Sequence, residues 1–211
     1  MTQTALPRLE TGDRLTRAEF HRRYCARPDI HKAELIEGVV YVASPERFRL
    51  HSEPQSAVVG WLYVYTIAHP GVRLGISPTI MLDDANEVQP DACLFRDPPP
   101  PGGARVGHDD YLEGAPQLIV EVAASSRGRD LGTKKEAYRR AGVLEYLVWQ
   151  VERRVFTWFR LQDGQYVAVA PDARGVIASV AFAGLRLAVA SLLAGDHAAV
   201  AAELSAGVDA E

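Results

Sequence analysis

One acid inside an apolar run constrains this chain more than any other feature: residues 118–126 read LIVEVAASS, with Glu121 enclosed by Leu118, Ile119, Val120 and Val122. Length and β-branched content make the run a buried strand. An ionised carboxylate taken out of water costs on the order of several kcal/mol unless a cation, a metal or dense hydrogen bonding compensates it. Any fold for this chain must therefore bring a partner to Glu121. Strand alternation sets Ile119, Glu121 and Ala123 on one face and Leu118, Val120 and Val122 on the other.

The remaining sequence predicts one domain over residues 1–211, since 211 residues at 47% hydrophobic and 24% charged are enough for a core without staples. Cys25 and Cys93 stand far apart with no CxxC or Cys/His cluster; they read as buried free thiols, which favours a reducing cytoplasm and argues against a zinc site. The opening MTQTALPRLETGDRL lacks the apolar core of a signal peptide, and no run near the length of a membrane span occurs, so no membrane partner is expected. The formal charge of −4 gives no global attraction to nucleic acid, and binding of that kind must come from a local patch.

Residues 16–26 predict a short helix capped by Thr16 and ended near Pro28, and residues 33–44 a hairpin turning at Glu37-Gly38. Residues 50–69 predict a long helix ended by Pro70-Gly71. GVRLGISPTIML and VQPDACLF then read as two strands joined by the polar DDANE. Residues 96–116, rich in Pro and Gly, read as a long flexible surface loop, of the kind that is usually functional or disordered. After the Glu121 strand come a helix over about 130–141 stopped by Gly142, a strand LEYLVWQV, a hairpin across QDGQ, and a final strand with a short apolar helix.

A second acid, Asp91, follows Pro90, which cannot donate to a ladder and marks a strand start, edge or bulge. If the Asp91 and Glu121 strands are neighbours, the two carboxylates converge and can hold a divalent ion. Mg²⁺ suits such a pair, because it takes hard oxygen ligands and keeps waters for substrate and nucleophile. The following segment, SSRGRDLGTKKEAYRRAG, sets Arg127, Arg129, Lys134, Lys135, Arg139 and Arg140 against Asp130 and Glu136, a local basic patch in an acidic chain. Lys134 and Tyr138 share a helix face; Asp130 joins them if the helix starts that early, whereas a capping box of Thr133 with Glu136 would put Lys134 in the first turn.

In this order the motifs AELIEGVVYVASP, His51, QPDACLF, PQLIVEVAASS and RDLGTKKEAYRRAGVLEYLVWQ resemble the bacterial restriction-endonuclease family of the Uma type, a branch of the PD-(D/E)XK nuclease superfamily. The resemblance covers about residues 30–190. It implies an α/β fold with a restriction-endonuclease-like core, a mixed central sheet flanked by helices, and additional β-hairpins. It also implies that Asp91 and Glu121 hold Mg²⁺, with Mn²⁺ able to substitute, and that the carbonyl of Val122 is a further ligand. The superfamily's usual lysine, two residues after the glutamate, is Ala123 here; this branch carries it on the next helix in a D-x-x-x-K-x-x-x-Y pattern, which Asp130, Lys134 and Tyr138 match. Glu34 and Glu37 match acids that this branch sets near the metal. Ala124 and Gln150 stand where relatives often carry aspartate.

The implied activity is metal-dependent hydrolysis of DNA, most simply double-stranded, with Lys134 orienting or helping to deprotonate the attacking water, Tyr138 positioning Lys134, and Arg127, Arg129, Lys135, Arg139 and Arg140 on backbone phosphates. A homodimer would suit cutting of both strands. The alternatives are a degenerate nuclease fold that binds nucleic acid or a partner without cutting, and a metal-dependent hydrolase of another phosphate ester.

Overall fold

The computed structural model describes residues 6–124 and 126–208. Residues 1–5 and 209–211, the two ends of the expected single domain, lie outside the described residues, as does Ser125. In chain order the elements are α1 (Arg17–Cys25), β1 (Ala33–Ile36), β2 (Val39–Val42), a π-helical turn (Phe48–Ser52), α2 (Glu53–Ala68), β3 (Val72–Ile76), β4 (Ile80–Asp83), β5 (Asn86–Val88) and β6 (Ala92–Arg96). There follow β7 (Arg105–Val106), β8 (Leu112–Glu113), β9 (Leu118–Ala123), α3 (Arg127–Asp130), α4 (Thr133–Ala141) and β10 (Glu145–Gln150). The chain continues through β11 (Val155–Gln162), β12 (Gln165–Val169), β13 (Val176–Ala178), β14 (Arg186–Ala188), α5 (Val189–Ala194) and α6 (His197–Val208).

The central sheet has the order β12-β11-β10-β9-β6-β3, and a second sheet the order β2-β1-β5-β4-β8-β7; β13 and β14 pair by themselves. In the central sheet β9 and β10 are parallel, joined by a crossover through α3 and α4, and the other pairs are antiparallel. The architecture is the expected mixed α/β fold with added hairpins. β9 has helices on one side, where Leu118 and Val120 share a core with Val58, Trp61, Leu62 and Tyr65 of α2 and Val200 and Leu204 of α6. Its other face packs Ile119 and Ala123 with Ala137 and Tyr138 of α4 and with Ile36, Ile80 and Val88 of the second sheet. Glu121 therefore points between α4 and the second sheet.

Several local expectations hold for the reasons that motivated them. Thr16 caps α1, its hydroxyl accepting from the Glu19 amide at 3.3 Å. The β1–β2 turn takes positive φ at Glu37 (53°) and Gly38 (72°), and the β11–β12 turn does so at Asp163 (48°) and Gly164 (73°), the backbone that a two-residue hairpin needs. Gly142 ends α4 in the left-handed conformation.

Other expectations are corrected. The two strands read between residues 71 and 95 are four, because Ser77 at φ 47° followed by Pro78 breaks the first run and Gln89-Pro90 breaks the second. β3 and β6 pair in the central sheet while β4 and β5 pair in the other. Residues 96–116 are not without structure: β7 and β8 extend the second sheet and bury Ala104, Leu112 and Ala115. The helix over 130–141 is broken at Leu131-Gly132. A Cβ at Gly132 would stand 2.6 Å from the Gly128 carbonyl oxygen, so only glycine allows α3 and α4 to close on each other. No capping box forms, since Gly132 occupies the cap and Glu136 binds Arg139 instead. The strand and helix expected near the end are the β13–β14 pair and α5, and the alanine-rich tail adds α6. Cys93 is buried, but Cys25, the last residue of a helix that buries only Phe20, is exposed. Among the described residues no helix is long and apolar enough to cross a membrane.

Candidate active site

Asp91 and Glu121 meet because β6 and β9 are antiparallel neighbours. Pro90 keeps Asp91 off the ladder, and the aspartate instead accepts from the Val122 amide through Oδ2 at 2.7 Å. Its Oδ1 accepts from Lys32 Nζ at 3.2 Å and lies 3.2 Å from His51 Nε2. Glu121 receives Lys134 Nζ at 2.7 Å and the Tyr138 hydroxyl at 2.8 Å, both on Oε1. Lys134 also reaches Glu34 Oε1 at 2.8 Å, to which the Gln89 amide donates at 2.8 Å. One ammonium group thus ties a carboxylate of the second sheet to a carboxylate of the central sheet. Asp130, at the end of α3, accepts from the Ser126 hydroxyl, and its Oδ1 is buried with no hydrogen-bond partner among the described residues.

These side chains, Tyr138 excepted, line a cavity of about 650 Å³ whose wall also includes Glu46, Arg47, Ala124, Arg129 and Glu152. Glu34, Asp91, Glu121 and Asp130 are between 1% and 4% exposed, so four buried carboxylates face two ammonium groups, Lys32 and Lys134. The imbalance shows in their ionisation. Burial opposes ionisation of Asp91, but His51, Lys32 and the Val122 amide outweigh it and hold the carboxyl at about 2. Burial of Glu34 is likewise outweighed by Lys134 and Lys32, and its carboxyl lies below the ordinary range. Glu121 goes the other way: burial, reinforced by Asp91, Asp130 and Glu34, pushes it up against the pull of Lys134. Asp130 is raised by burial as well. Lys134 would be lowered by burial, yet Glu121, Glu34 and Asp130 together drive it above the ordinary lysine range, so it remains an ammonium ion. Asp91 first raises His51 against its burial.

The donor set fits a divalent cation. The oxygens are hard, six carboxylates line the cavity against the four cationic side chains Lys32, Arg47, Arg129 and Lys134, and Asp130 Oδ1 has no hydrogen-bond partner among the described residues. Among the described residues no three His, Cys, Asp or Glu side chains form a cage by themselves, and Mg²⁺ needs only one or two protein carboxylates. Asp91 and Glu121 are the pair that could hold it, beside the Val122 backbone.

The structure brings Asp91, Glu121, Lys134, Tyr138 and Glu34 together. It leaves Glu37 outside: this acid sits exposed on the hairpin turn, bound to Asn86 and Arg140, because alternation from Glu34 carries the chain out of the sheet before residue 37. The basic segment divides. Arg129 lines the cavity, its guanidinium 5.0 Å from the Tyr41 ring centroid. Arg127 donates to Gln150 Oε1 at 2.7 Å. Lys135 sits 3.8 Å over the Phe159 ring, Arg139 binds Glu136 and the Gly164 carbonyl, and Arg140 binds Glu37. None of these four lines the cavity. Sequence reasoning missed Lys32. Its one signal is a place two residues before Glu34, hence the same face of an extended chain.

The sequence model of the Uma2 family, described as "Putative restriction endonuclease", matches residues 17–190. This chain belongs to the Uma2 family. Among solved structures it is similar to a putative nuclease belonging to DUF820 from Anabaena variabilis ATCC 29413, with a TM-score of 0.60 and 16% sequence identity over 82% of this chain and 96% of that one. At that identity the likeness carries the fold, a restriction-endonuclease-like α/β core. No protein of curated function matches the chain. Within the Uma2 region fall all of the cavity's buried acids and both of its lysines.

Proposed function

We propose that this Uma2 chain is a metal-dependent endonuclease that hydrolyses DNA phosphodiester bonds at the Asp91–Glu121 end of the cavity. The observation that carries the reading is the pairing of two carboxylates from adjacent strands, within reach of a buried lysine, in a cavity with more carboxylates than cations to balance them. Mg²⁺, or Mn²⁺ in its place, would be held by Asp91, Glu121 and the Val122 carbonyl and would acidify the attacking water and neutralise the phosphate. Lys134 stays protonated, so it orients the water and the phosphate by donating hydrogen bonds and does not take a proton. Tyr138, whose hydroxyl burial pushes well above its usual range, stays protonated too and fixes the Glu121 carboxylate. His51 and Lys32 hold Asp91 ionised. Arg129 and Arg47 on the cavity wall suit backbone phosphates, contacts that carry no sequence information. Double-stranded DNA is the substrate proposed, and a homodimer would supply the two sites that antiparallel strands require.

The test is cleavage of supercoiled plasmid with Mg²⁺ or Mn²⁺ by the wild type and by Asp91→Ala, Glu121→Ala and Lys134→Ala. Metal-dependent nicking abolished by each substitution is the expected result. Hydrolysis of a small phosphate ester with intact plasmid would move the reading to a different hydrolase. Absence of both activities would leave a binding protein.

A further inference from the structure

The best-formed constellation outside the cavity is centred on α1. His21 and Cys25 stand one helical turn apart and share a face. Cys25 Sγ lies 3.4 Å from His21 Nε2 and 3.9 Å from His21 Nδ1, so the sulfur rests beside the imidazole and off the Nε2 lone-pair axis, and His21 Nδ1 lies 2.9 Å from Oε1 of Glu87 on β5. Glu87 is 1% exposed and its Oε2 has no hydrogen-bond partner among the described residues, whereas Cys25 is exposed. Tyr111 completes the group, with its hydroxyl 3.6 Å from Sγ and its ring edge-on to His21 at a centroid distance of 5.0 Å. A nucleophile within reach of a base, with the base's other nitrogen held by a buried carboxylate, is the arrangement that activates a weak nucleophile.

We propose that Cys25, His21 and Glu87 form a reactive-thiol site that exchanges with low-molecular-weight disulfides. Once the exposed Cys25 side chain turns into line with Nε2, its thiol gives its proton to His21, and Glu87 Oε1 holds the Nδ1–H of the resulting imidazolium. The thiolate attacks one sulfur of the disulfide, so a Cys25–S bond forms as the disulfide S–S bond breaks. The departing thiolate takes the proton back from His21. Cys25 and the small disulfide become a mixed disulfide and one free small thiol; Cys25 is oxidised, and the departing sulfur is reduced. Glu87 is a positioning residue, acting through His21.

Two further observations agree with this reading. Burial pushes the Glu87 carboxyl above the ordinary glutamate range while His21 and then Arg17 pull it down, so the charged form of Glu87 is favoured when His21 is an imidazolium. The titratable groups against the thiol are His21 of α1 and Tyr111 of the β7–β8 connection; behind them, Glu87 of β5 and Arg17 act on His21 and on Glu87 respectively, and Tyr24 acts on Tyr111. Cys25 lines neither the large cavity nor the small pocket beside Arg17, which favours one-to-one modification over turnover of a bound substrate.

The experiment is the rate of reaction of the full-length chain with 5,5′-dithiobis(2-nitrobenzoic acid), together with mass mapping of the adduct formed with oxidised glutathione. The expected result is labelling at Cys25 and not at buried Cys93, with a rate at neutral pH that falls about tenfold or more in His21→Ala and by a smaller factor in Glu87→Gln. The rate in His21→Ala should rise in proportion to hydroxide across about pH 6 to 8, where the wild type is flatter. Equal rates and equal pH profiles in wild type and His21→Ala would overturn the proposal, as would an absence of adduct at Cys25. Should Glu87→Gln fail to fold, His21→Ala decides alone, since its side chain is 23% exposed and removable.

Discussion

Glu121 and Glu145 are both buried glutamates on the neighbouring parallel strands β9 and β10, at 3% and 0% exposure. Glu145 is satisfied locally: it accepts from the Ser179 hydroxyl, accepts from the Val180 amide at 3.1 Å, and lies 3.6 Å from Arg160. Glu121 has Lys134 and Tyr138 but shares its surroundings with Asp91, Asp130 and Glu34. Burial alone therefore marks no site in this molecule. Carboxylates gathered beyond what nearby cations neutralise do, because such a group lowers its free energy by taking up a proton or a cation.

The comparison breaks most visibly in catalysis. Asp91→Ala and Glu121→Ala should lower plasmid cleavage by about 10³-fold or more, while Glu145→Ala, corrected for folded fraction, stays within about twofold of wild type. In stability the roles differ again. Lys134→Met strips Glu34, Glu121 and Asp130 of their shared cation and should cost about 3–5 kcal/mol in urea unfolding of the metal-free chain. Arg160→Ala, beside Glu145 but 21% exposed and supplemented by Ser179 and Val180, should cost about 1 kcal/mol or less.

Acid titration sharpens the same contrast at a smaller scale. Asp91 is held at about 2 against an ordinary 3.8, so its ionised form contributes stability above the ordinary value, and that contribution disappears as pH falls through about 2. The amount is roughly 2 kcal/mol, and Asp91→Asn should flatten this limb of the stability-against-pH curve. Glu121 has the opposite sign: its raised carboxyl makes the metal-free chain lose stability as pH rises above the ordinary glutamate range, and Glu121→Gln should remove that loss. Glu145→Ala should cost about 1–2 kcal/mol in the same urea unfolding, as its partners are two hydrogen bonds and a distant guanidinium.

Much of this site could be read from residues because two of its acids violate local rules. Glu121 interrupts an apolar strand, and Asp91 follows a proline that must leave the ladder. Lys134 and Tyr138 were legible as a helix pair and as part of the family pattern. Glu34 and Glu37 looked equivalent in sequence, and only the alternation of β1, with Glu34 and Ile36 facing the interior between the sheets, separates them. Lys32 precedes the strand and offered only its two-residue spacing from Glu34. The hop of β4 and β5 into a second sheet was also hidden, since it depends on pairing across long sequence distances, although the breaks at Ser77-Pro78 and Gln89-Pro90 announced its corners. The basic segment misled as a unit because its charges count alike in sequence, while in the fold Arg139 and Arg140 are spent on Glu136 and Glu37.

The most direct measurement of the central claim is a Mn²⁺ titration of the full-length chain, followed by water proton relaxation. Binding in the wild type and in Glu145→Ala, lost in Asp91→Ala and Glu121→Ala, is the result predicted. Undiminished binding in Glu121→Ala, or none in the wild type, would contradict the account.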